Sequence, residues 1–263
     1  MILVAEVLLQ QTQAPRVAER FPALIGAMAT PAATAELGPT GVLQLWSGMG
    51  YNARAIRLHR CAVQIVTDYD GEVPLELDAL LKLPGIGPYT ARAICVFAAG
   101  QDLGVYDTNV ARVIARALTG TPVSAGVGQT LADAMVPTGQ GWLYNQAVLD
   151  LGATICTARA PQCHRCPVAR RCRFKRAGGD DPARTTAGTA RAQGTFEGSD
   201  RQGRGRIIAR LRLGPATVAE LGVVTGWGDG TRLHQVLDRL GAAGLLSDLG
   251  HTGVVLGQVA EER

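Results

Sequence analysis

The chain has 263 residues, of which 47% are hydrophobic and 18% charged, and its net charge at neutral pH is +4. This length can bury a core without disulfide bonds, and the composition excludes an intrinsically disordered protein. No apolar run approaches the roughly 18 residues of a membrane-spanning helix, and no basic segment precedes the apolar opening, as a secretion signal would require. We therefore expect a soluble, cytoplasmic protein with no membrane partner.

Up to residue 176 the pattern predicts helices almost throughout. Apolar residues recur three or four positions apart, which is the spacing of one helix face, and glycines and prolines separate the segments. The predicted helices lie over 42–46, 53–69, 75–83, 90–99, 109–118 and 129–136. Alternating strand patterns are nearly absent, so the predicted fold class is all-α.

Ahead of these segments, one acid, Glu6, lies on a predicted helix in the run EVLLQQTQ, whose other residues are apolar or neutral. A residue of this kind can be the surface side of an amphipathic helix. It can also be a buried acid with a chemical role.

A glycine-rich turn, LPGIGPYT over 83–90, links two helical segments further along the chain. Its Gly85 and Gly87 permit a tight turn, and the helix that follows presents free backbone N–H groups at its start. Such a turn can hold a DNA backbone phosphate without reading a base. An ordinary helix-to-helix turn is the alternative, which the following Tyr89 and Thr90 make less favoured.

Asp107 lies in the run VYDTNV, where a helix begins. By itself it would be an ordinary helix N-cap. Cleavage of a glycosidic bond needs one acid to protonate the leaving base and one carboxylate to stabilise the cationic sugar. Glu6 and Asp107 together would supply such a pair.

Four of the six cysteines fall within 17 residues with the spacing C-x6-C-x2-C-x5-C, namely Cys156, Cys163, Cys166 and Cys172. Disulfides are not expected in a cytosolic chain, so the spacing predicts a metal site. One loop that supplies every thiolate suits a [4Fe–4S] cluster better than zinc, although the spacing alone leaves zinc open. Seven basic and no acidic residues over 156–176 indicate a polyanionic partner.

The composition changes at residue 177. The stretch 177–199 is rich in Gly, Ala, Thr and Asp and has few large apolar residues, which predicts a flexible linker. Asp200 is the expected N-cap of a helix over 201–213, and a second helix is predicted over 231–241. We expect residues 200–263 to form a small winged-helix-like C-terminal module.

Taken together, the motifs resemble adenine glycosylases of the MutY type, and more distantly endonuclease III, over residues 1 to about 176. The shared runs, in the family's order, are EVLLQQTQ, WSGMGY, LPGIGPYT, DTNV and NQAVLDLGA, followed by the cysteine loop. The resemblance implies a helix-hairpin-helix DNA glycosylase fold with a six-helix domain over 1–105 and an iron–sulfur cluster domain over 106–176. The tail resembles short members that lack a full second recognition domain.

The same resemblance implies roles for the matching residues. Glu6 would protonate the adenine and help to activate water, Asp107 would stabilise the oxocarbenium-like sugar, and Asn109 would order the site. Tyr89 stands where bifunctional relatives carry a Schiff-base lysine. DNA contacts are expected for Gln11, Tyr51, Gly85, Gly87 and Thr90, and Gln11 and Tyr51 match residues that insert into the duplex around the lesion.

The implied partner is double-stranded DNA with an adenine mispaired with 8-oxoguanine or guanine. The target base would be flipped out of the duplex into a cleft between the two domains. The expected enzyme is a monofunctional monomer with a [4Fe–4S] cluster.

Two departures from the family pattern, Thr108 and Asn52, leave other readings open, since Thr108 is typical of endonuclease III. An endonuclease III-like glycosylase and lyase for oxidised pyrimidines is opposed by Tyr89. A G·T mismatch thymine glycosylase is opposed by Glu6, because a purine leaving group needs protonation more than thymine does. The third alternative is a DNA-binding remnant without activity, since the chain begins five residues before Glu6.

Overall fold

The structure is a computed structural model that describes residues 1–189, 194–227, 230–248 and 253–257. It is predominantly helical, as the apolar periodicity predicts. The helices of the first 177 residues are α1 (Ile2–Leu9), α2 (Ala14–Ala27), α3 (Pro31–Glu36), α4 (Gly38–Leu45), α5 (Ala53–Asp68), α6 (Leu77–Leu80), α7 (Pro88–Ala99), α8 (Thr108–Val113), α9 (Ala125–Ala134), α10 (Gly141–Asp150) and α11 (Arg173–Ala177). Helices α8 and α10 continue into π-helical turns, Ile114–Thr119 and Leu151–Ile155.

Residues 1–105 form six helices and the single turn α6 around one apolar core. Helix α1 lies at its centre and contacts α2, α5 and α7. Apart from Glu6 its residues are all apolar, and a helix that is apolar on every side is stable only when it is buried. Leu8 of α1 and Trp46 after α4 are both fully excluded from water. The burial of Glu6 is thus a consequence of the helix that carries it.

Two helix predictions differ from the structure for local reasons. The helix expected over 75–83 is only the four residues of α6, because the chain tightens before Pro84, with the N–H groups of Lys82 and Leu83 bonded three residues back. Proline disfavours the helical conformation in the residue before it. Helix α2 was not predicted, since Pro22 interrupts its pattern from within.

The predicted linker over 177–199 is shorter in the structure, because residues 181–189 pack against the helices of residues 106–134. Asp181 forms an ion pair with Arg116 at 2.6 Å, and the Tyr106 hydroxyl donates to the carbonyl of Ala187 at 2.8 Å. Thr186 is only 4% exposed. The small residues of this stretch therefore allow close packing. Residues 190–193 of the predicted linker lie outside the described part of the chain.

The described residues after 199 form three helices followed by a two-stranded antiparallel ribbon, and the winged-helix-like character of this module stays a prediction. Its elements are α12 (Asp200–Leu211), α13 (Val218–Thr225), α14 (Gly230–Ala242), β1 (Leu246–Asp248) and β2 (Val254–Leu256). In the ribbon Leu246 lies opposite Leu256, and Ala216 bridges to Val254 on the other side. The remaining residues of this predicted module, 228–229, 249–252 and 258–263, lie outside the described ranges.

The N-cap of α12 is Ser199 rather than the predicted Asp200. The Ser199 hydroxyl accepts the N–H of Gln202. The Asp200 carboxylate instead accepts from Arg232 at 3.0 Å and from Arg239 at 3.1 Å, both on α14. An aspartate in the first turn still stabilises the helix, because its negative charge lies at the positive end of the helix dipole. The helix therefore begins within one residue of the predicted start, with a different cap.

The module packs directly against α4 and α5, and one continuous apolar cluster runs through both units. Arg212 donates to the carbonyl of Leu43 at 3.1 Å and to Oδ1 of Asn52 at 3.3 Å. The Thr40 hydroxyl donates to the carbonyl of Leu256. None of the helices in the described ranges combines the length and apolar character that crossing a bilayer requires.

Candidate active site

Glu6 is a buried acid with an unusually high pKa. Glu6 is only 8% exposed, and its Oε2 atom has no hydrogen-bond partner among the described residues. Burial, and next the negative charge of Asp107, raise the pKa of Glu6 to about 7. A carboxyl group with this pKa can donate a proton at neutral pH.

Asp107 is held at the N-terminus of α8 as the helix N-cap. Its Oδ1 accepts the backbone N–H groups of Asn109 at 2.8 Å and Val110 at 2.7 Å, and its Oδ2 accepts the Asn109 side-chain amide at 2.9 Å. Burial raises the pKa of Asp107, whereas these hydrogen bonds and the charge of Arg112 oppose that rise. The cap and the candidate catalytic carboxylate are therefore the same group, oriented by three donors.

Tyr89 shares the electrostatic environment of the two acids. It lies in the first turn of α7, and its pKa is raised by burial and then by the charges of Glu6 and Asp107. Glu6, Tyr89 and Asp107 thus lie within electrostatic reach of one another, and Asn109, the fourth residue predicted for this site, is bonded to Asp107. The two lysines of the chain, Lys82 and Lys175, are both exposed at the surface.

The hairpin before α7 uses its two glycines differently. Gly85 has a φ of +82°, and a Cβ there would lie 2.9 Å from the Cβ of Arg57. Gly87 is the N-cap of α7 with a φ of −93°, and nothing lies within 4 Å of a Cβ built on it. Glycine is therefore required at 85 by the backbone and by packing, whereas at 87 it leaves the approach to the helix N-terminus open.

Thr90, one of the residues expected to contact DNA, has a buried side chain. It is 3% exposed, and its hydroxyl accepts a hydrogen bond from the Gln10 side chain at 3.1 Å. Gln10 also donates to the carbonyl of Gly85 at 3.3 Å. The Thr90 hydroxyl thus ties the hairpin to the end of α1, and a phosphate could meet only the backbone N–H groups of this turn.

Gln11 and Tyr51, the two expected duplex-inserting residues, lie at the tips of adjacent turns. Both have a left-handed backbone, with φ of 56° and 46°, and Tyr51 is 40% exposed. The two turns are joined through Arg54, which donates to the Thr12 hydroxyl in one and to the Gly50 carbonyl in the other. Arg54 gave no signal in the sequence, where it resembles any arginine near the start of a helix.

The four clustered cysteines are half-buried and line a single cavity beside the end of α10. The remaining lining is largely apolar and includes Val113, Ala117, Leu151, Ile155, Pro161, Val168, Ala169 and Phe174. A [4Fe–4S] cluster takes one thiolate per iron, and here one loop supplies four thiols around one largely apolar cavity. The donor set and the cavity therefore fit a [4Fe–4S] cluster.

Two buried arginines, Arg112 and Arg116, donate hydrogen bonds to this cysteine loop, and Arg112 also reaches Asn109 beside Asp107. Neither was singled out from the sequence. Arg116 is 2% exposed and donates to Sγ of Cys156 at 3.5 Å and to the carbonyl of Thr157 at 2.8 Å. Arg112 donates to the carbonyl of Cys156 and to the side chain of Asn109. In the sequence they look like the outward side of a helix, and only the packing of the loop onto that side buries them. Cys61 and Cys95, the other two cysteines, lie in the apolar core.

Comparison with known proteins agrees with this geometry. Residues 4–125 match the family model described as HhH-GPD superfamily base excision DNA repair protein. An adenine DNA glycosylase of Mycolicibacterium smegmatis is 43% identical over 251 residues, which cover 93% of this chain and 83% of the relative. An adenine DNA glycosylase of Homo sapiens is 39% identical over 180 residues, which cover 66% of this chain and 33% of that protein.

Solved structures give the same fold. A thermostable thymine-DNA glycosylase superposes with a TM-score of 0.62 at 28% identity, covering 67% of this chain and 83% of that one. A non-covalent endonuclease III–DNA complex superposes with a TM-score of 0.61 at 26% identity, covering 67% and 83%. The two adenine DNA glycosylases are the more similar in sequence, at 43% and 39% identity. The chain belongs to the adenine DNA glycosylase family, within the HhH-GPD superfamily of base-excision repair proteins.

Proposed function

We propose that this chain hydrolyses the N-glycosidic bond of adenine mispaired with 8-oxoguanine or guanine in double-stranded DNA. The observation that carries the proposal is the pairing of Glu6 with Asp107 in one buried site. Burial leaves Glu6 with a pKa of about 7, and its Oε2 has no hydrogen-bond partner among the described residues. Burial raises the pKa of Asp107 as well, but three hydrogen bonds and the charge of Arg112 oppose that rise. Because Asp107 has partners for its ionised form and Glu6 lacks them, Glu6 suits the acid and Asp107 the anion.

The reaction would divide the work between these two groups. The protonated Glu6 donates its proton to the adenine ring, which becomes a neutral leaving group as the bond to the sugar breaks. The positive charge that develops on the sugar is stabilised by the Asp107 carboxylate, which the α8 N–H groups hold in place. Glu6, now ionised, can accept a proton from the water that attacks the sugar.

The proposed enzyme is monofunctional. Strand cleavage by a lyase normally requires an amine that forms a Schiff base with the abasic sugar. The position beside the acids is Tyr89, whose pKa is raised by burial, so its hydroxyl stays neutral. Both lysines are exposed at the surface, which supports base removal without strand cleavage.

The proposed cofactor is a [4Fe–4S] cluster held by Cys156, Cys163, Cys166 and Cys172. When bound, the group would cross-link the loop and fix its arginines in place, which is a structural contribution. The cytoplasm, our proposed location, keeps such thiols reduced. Because the acids, the hairpin and the basic loop all come from one chain, a monomer suffices.

The duplex would be held by the hairpin at Gly85–Gly87 and by the basic loop, with the target adenine extruded between residues 1–105 and 106–176. Phosphate contacts from such elements position the DNA without reading its sequence. Gln11 and Tyr51 would enter the space that the extruded base leaves.

A panel of defined duplexes tests the proposal. Purified enzyme is incubated with adenine opposite 8-oxoguanine, adenine opposite guanine, thymine opposite guanine, and thymine glycol. We expect release of adenine alone, strand breakage only after alkali, and a loss of about 10²–10⁴-fold in rate for Glu6→Gln. Excision of thymine glycol without action on adenine would overturn the assignment. A borohydride-trapped adduct that Lys82→Ala abolishes would overturn monofunctionality.

A further inference from the structure

Arg54 is the most extensively bonded side chain near the candidate site that the proposed chemistry does not use. It lies in the first turn of α5 and is 5% exposed. Its Nη1 donates to the carbonyls of Val7 and Leu8, both at 2.8 Å. Its Nη2 donates to the Thr12 hydroxyl at 2.8 Å and to the carbonyls of Met49 and Gly50 at 3.2 and 3.3 Å. Five acceptors from two separate turns therefore meet at one guanidinium.

The acceptors on the first turn belong to the end of the helix that carries Glu6. Carbonyl groups in the last turn of a helix have no intrahelical partner. Arg54 provides one for Val7 and for Leu8 and, through Thr12, fixes the turn immediately after Gln11. The position of Gln11 relative to Glu6 is thus determined by this side chain.

The acceptors on the second turn precede Tyr51. The guanidinium carbon of Arg54 lies 5.2 Å from the ring centroid of Trp46 and 5.6 Å from that of Tyr51. Trp46 in turn donates from Nε1 to the carbonyl of Gly50 at 3.0 Å. The backbone of the turn and the ring at its tip are therefore both in contact with the same cation.

Both tips adopt a backbone that ordinary side chains avoid. Gln11 and Tyr51 have φ of 56° and 46°, and residues in this region persist only where their surroundings hold them. Burial lowers the pKa of Arg54 to about 10, so it remains a cation at neutral pH. Lysine has neither the planar fork nor the number of donors to replace it.

We infer that Arg54 is a positioning residue for base extrusion, which holds Gln11 and Tyr51 together in the conformation that enters the duplex. The inference rests on the proposed adenine glycosylase function. Arg54 itself touches neither the reacting sugar nor the base. Its effect should therefore depend on how much energy extrusion of the target base requires.

The test compares two substrates that differ in that energy. One duplex has adenine opposite guanine, and the other has adenine opposite an abasic-site analogue, where the target is already unpaired and costs less to extrude. Single-turnover rates are normalised to the fraction of active enzyme. We expect Arg54→Lys to lose about 10–100-fold on the mispair, with most of that loss absent on the unpaired adenine. Glu6→Gln should lose activity equally on both.

A matched control is Arg20→Lys, which changes a partly buried arginine of α2 bonded to the Leu45 carbonyl rather than to either turn. It should leave the ratio of the two rates unchanged. Thr12→Val provides a milder second variant, since it removes one acceptor of Arg54 and leaves the arginine in place. We expect it to shift the ratio in the same direction by less, even if Arg54→Lys proves too unstable to assay.

A direct measurement of extrusion separates this inference from the proposed function. In the Glu6→Gln background, 2-aminopurine at the target position fluoresces when it leaves the stack. Arg54→Lys should reduce the rise in fluorescence at saturating enzyme, and adding Tyr51→Ala should reduce it little further, because both act on one step. Equal losses on the two substrates with unchanged fluorescence would overturn the role of Arg54. A wild type that extrudes the base but releases no adenine would overturn the proposed function alone.

Discussion

Arg112 donates from Nη2 to Oδ1 of Asn109 at 2.7 Å and from Nε to the carbonyl of Cys156 at 2.6 Å. Asn109 passes the connection on, since its amide donates to Oδ2 of Asp107 at 2.9 Å. A continuous path of hydrogen bonds therefore joins a cysteine of the proposed cluster to the candidate catalytic carboxylate. Gly152 allows the backbone after α10 to pack closely against Asn109, since a Cβ on Gly152 would lie 2.6 Å from the Cβ of Asn109.

Replacement of Arg112 by Gln should impair both ends of this path. Arg112 is 7% exposed, and its loss leaves buried carbonyls without a donor, which costs about 1–3 kcal/mol for each. We expect adenine release to fall about tenfold or more, with less iron retained by the same preparation. Arg204→Gln, at an exposed site on α12, is the control. An unchanged rate of adenine release and an unchanged iron content would show that this path of hydrogen bonds supports neither the cysteine loop nor Asp107.

The cluster prediction concerns Cys163. Protein purified without oxygen should contain about four iron atoms per chain, and Cys163→Ser should lose iron and bind all duplexes more weakly, because the surrounding arginines lose their fixed geometry. Cys61→Ala is the matched control, since burial raises the pKa of the Cys61 thiol to about 12 and it lies outside the cysteine cavity. Stoichiometric zinc without iron, in cells supplied with iron, would refute the cluster.

The hairpin offers a pair of matched variants, Gly85→Ala and Gly87→Ala. At Gly85 the positive φ and the close Cβ of Arg57 should cost about 1–3 kcal/mol of stability, and affinity for mispaired and fully paired duplexes should fall alike. At Gly87 the backbone accepts alanine, so the melting temperature should not change and only the approach of a phosphate is hindered. Altered base preference at constant overall affinity would show that the hairpin reads bases.

Periodicity and motif order predicted the helical class, most helix positions and the residues that meet at the site. These sequence patterns were informative because a buried helix face requires apolar residues at a regular spacing, and an acid is conspicuous among apolar neighbours. Glu6 stood out, for example, as the one charged residue in an apolar helix. The capping geometry of Asp107 also followed from its place before a helix.

The burial of three arginines could not be predicted from the sequence in the same way. Arg54, Arg112 and Arg116 are all nearly buried, yet each is surrounded in sequence by residues that are equally common on a solvated helix. Their burial depends on segments distant along the chain, such as the Thr12 turn for Arg54 and Asp181 for Arg116. Such contacts arise from tertiary packing, which local patterns do not encode.

The last prediction concerns the cost of keeping Glu6 buried. Its pKa is 4.5 in a model peptide and about 7 in the folded chain. Between these values the folded protein binds a proton that the unfolded chain releases, so the stability contributed by this group is greatest below pH 4.5 and is lost as pH rises through 7. The difference amounts to about 3 kcal/mol, and the rate of adenine release should likewise fall above pH 7, as the acid form disappears.

Glu6→Gln cannot ionise and should escape this loss. At pH 8 we expect the variant to melt higher than the wild type by about 5–10 °C, while at pH 5 the gap should narrow, because the wild-type carboxyl is then protonated in the folded state. Thermal unfolding of both proteins across this range, with the exposed Glu19→Gln on α2 as control, measures the effect. A gap that is constant with pH would mean that Glu6 is ionised in the folded protein, and the general-acid role would then lose its physical basis.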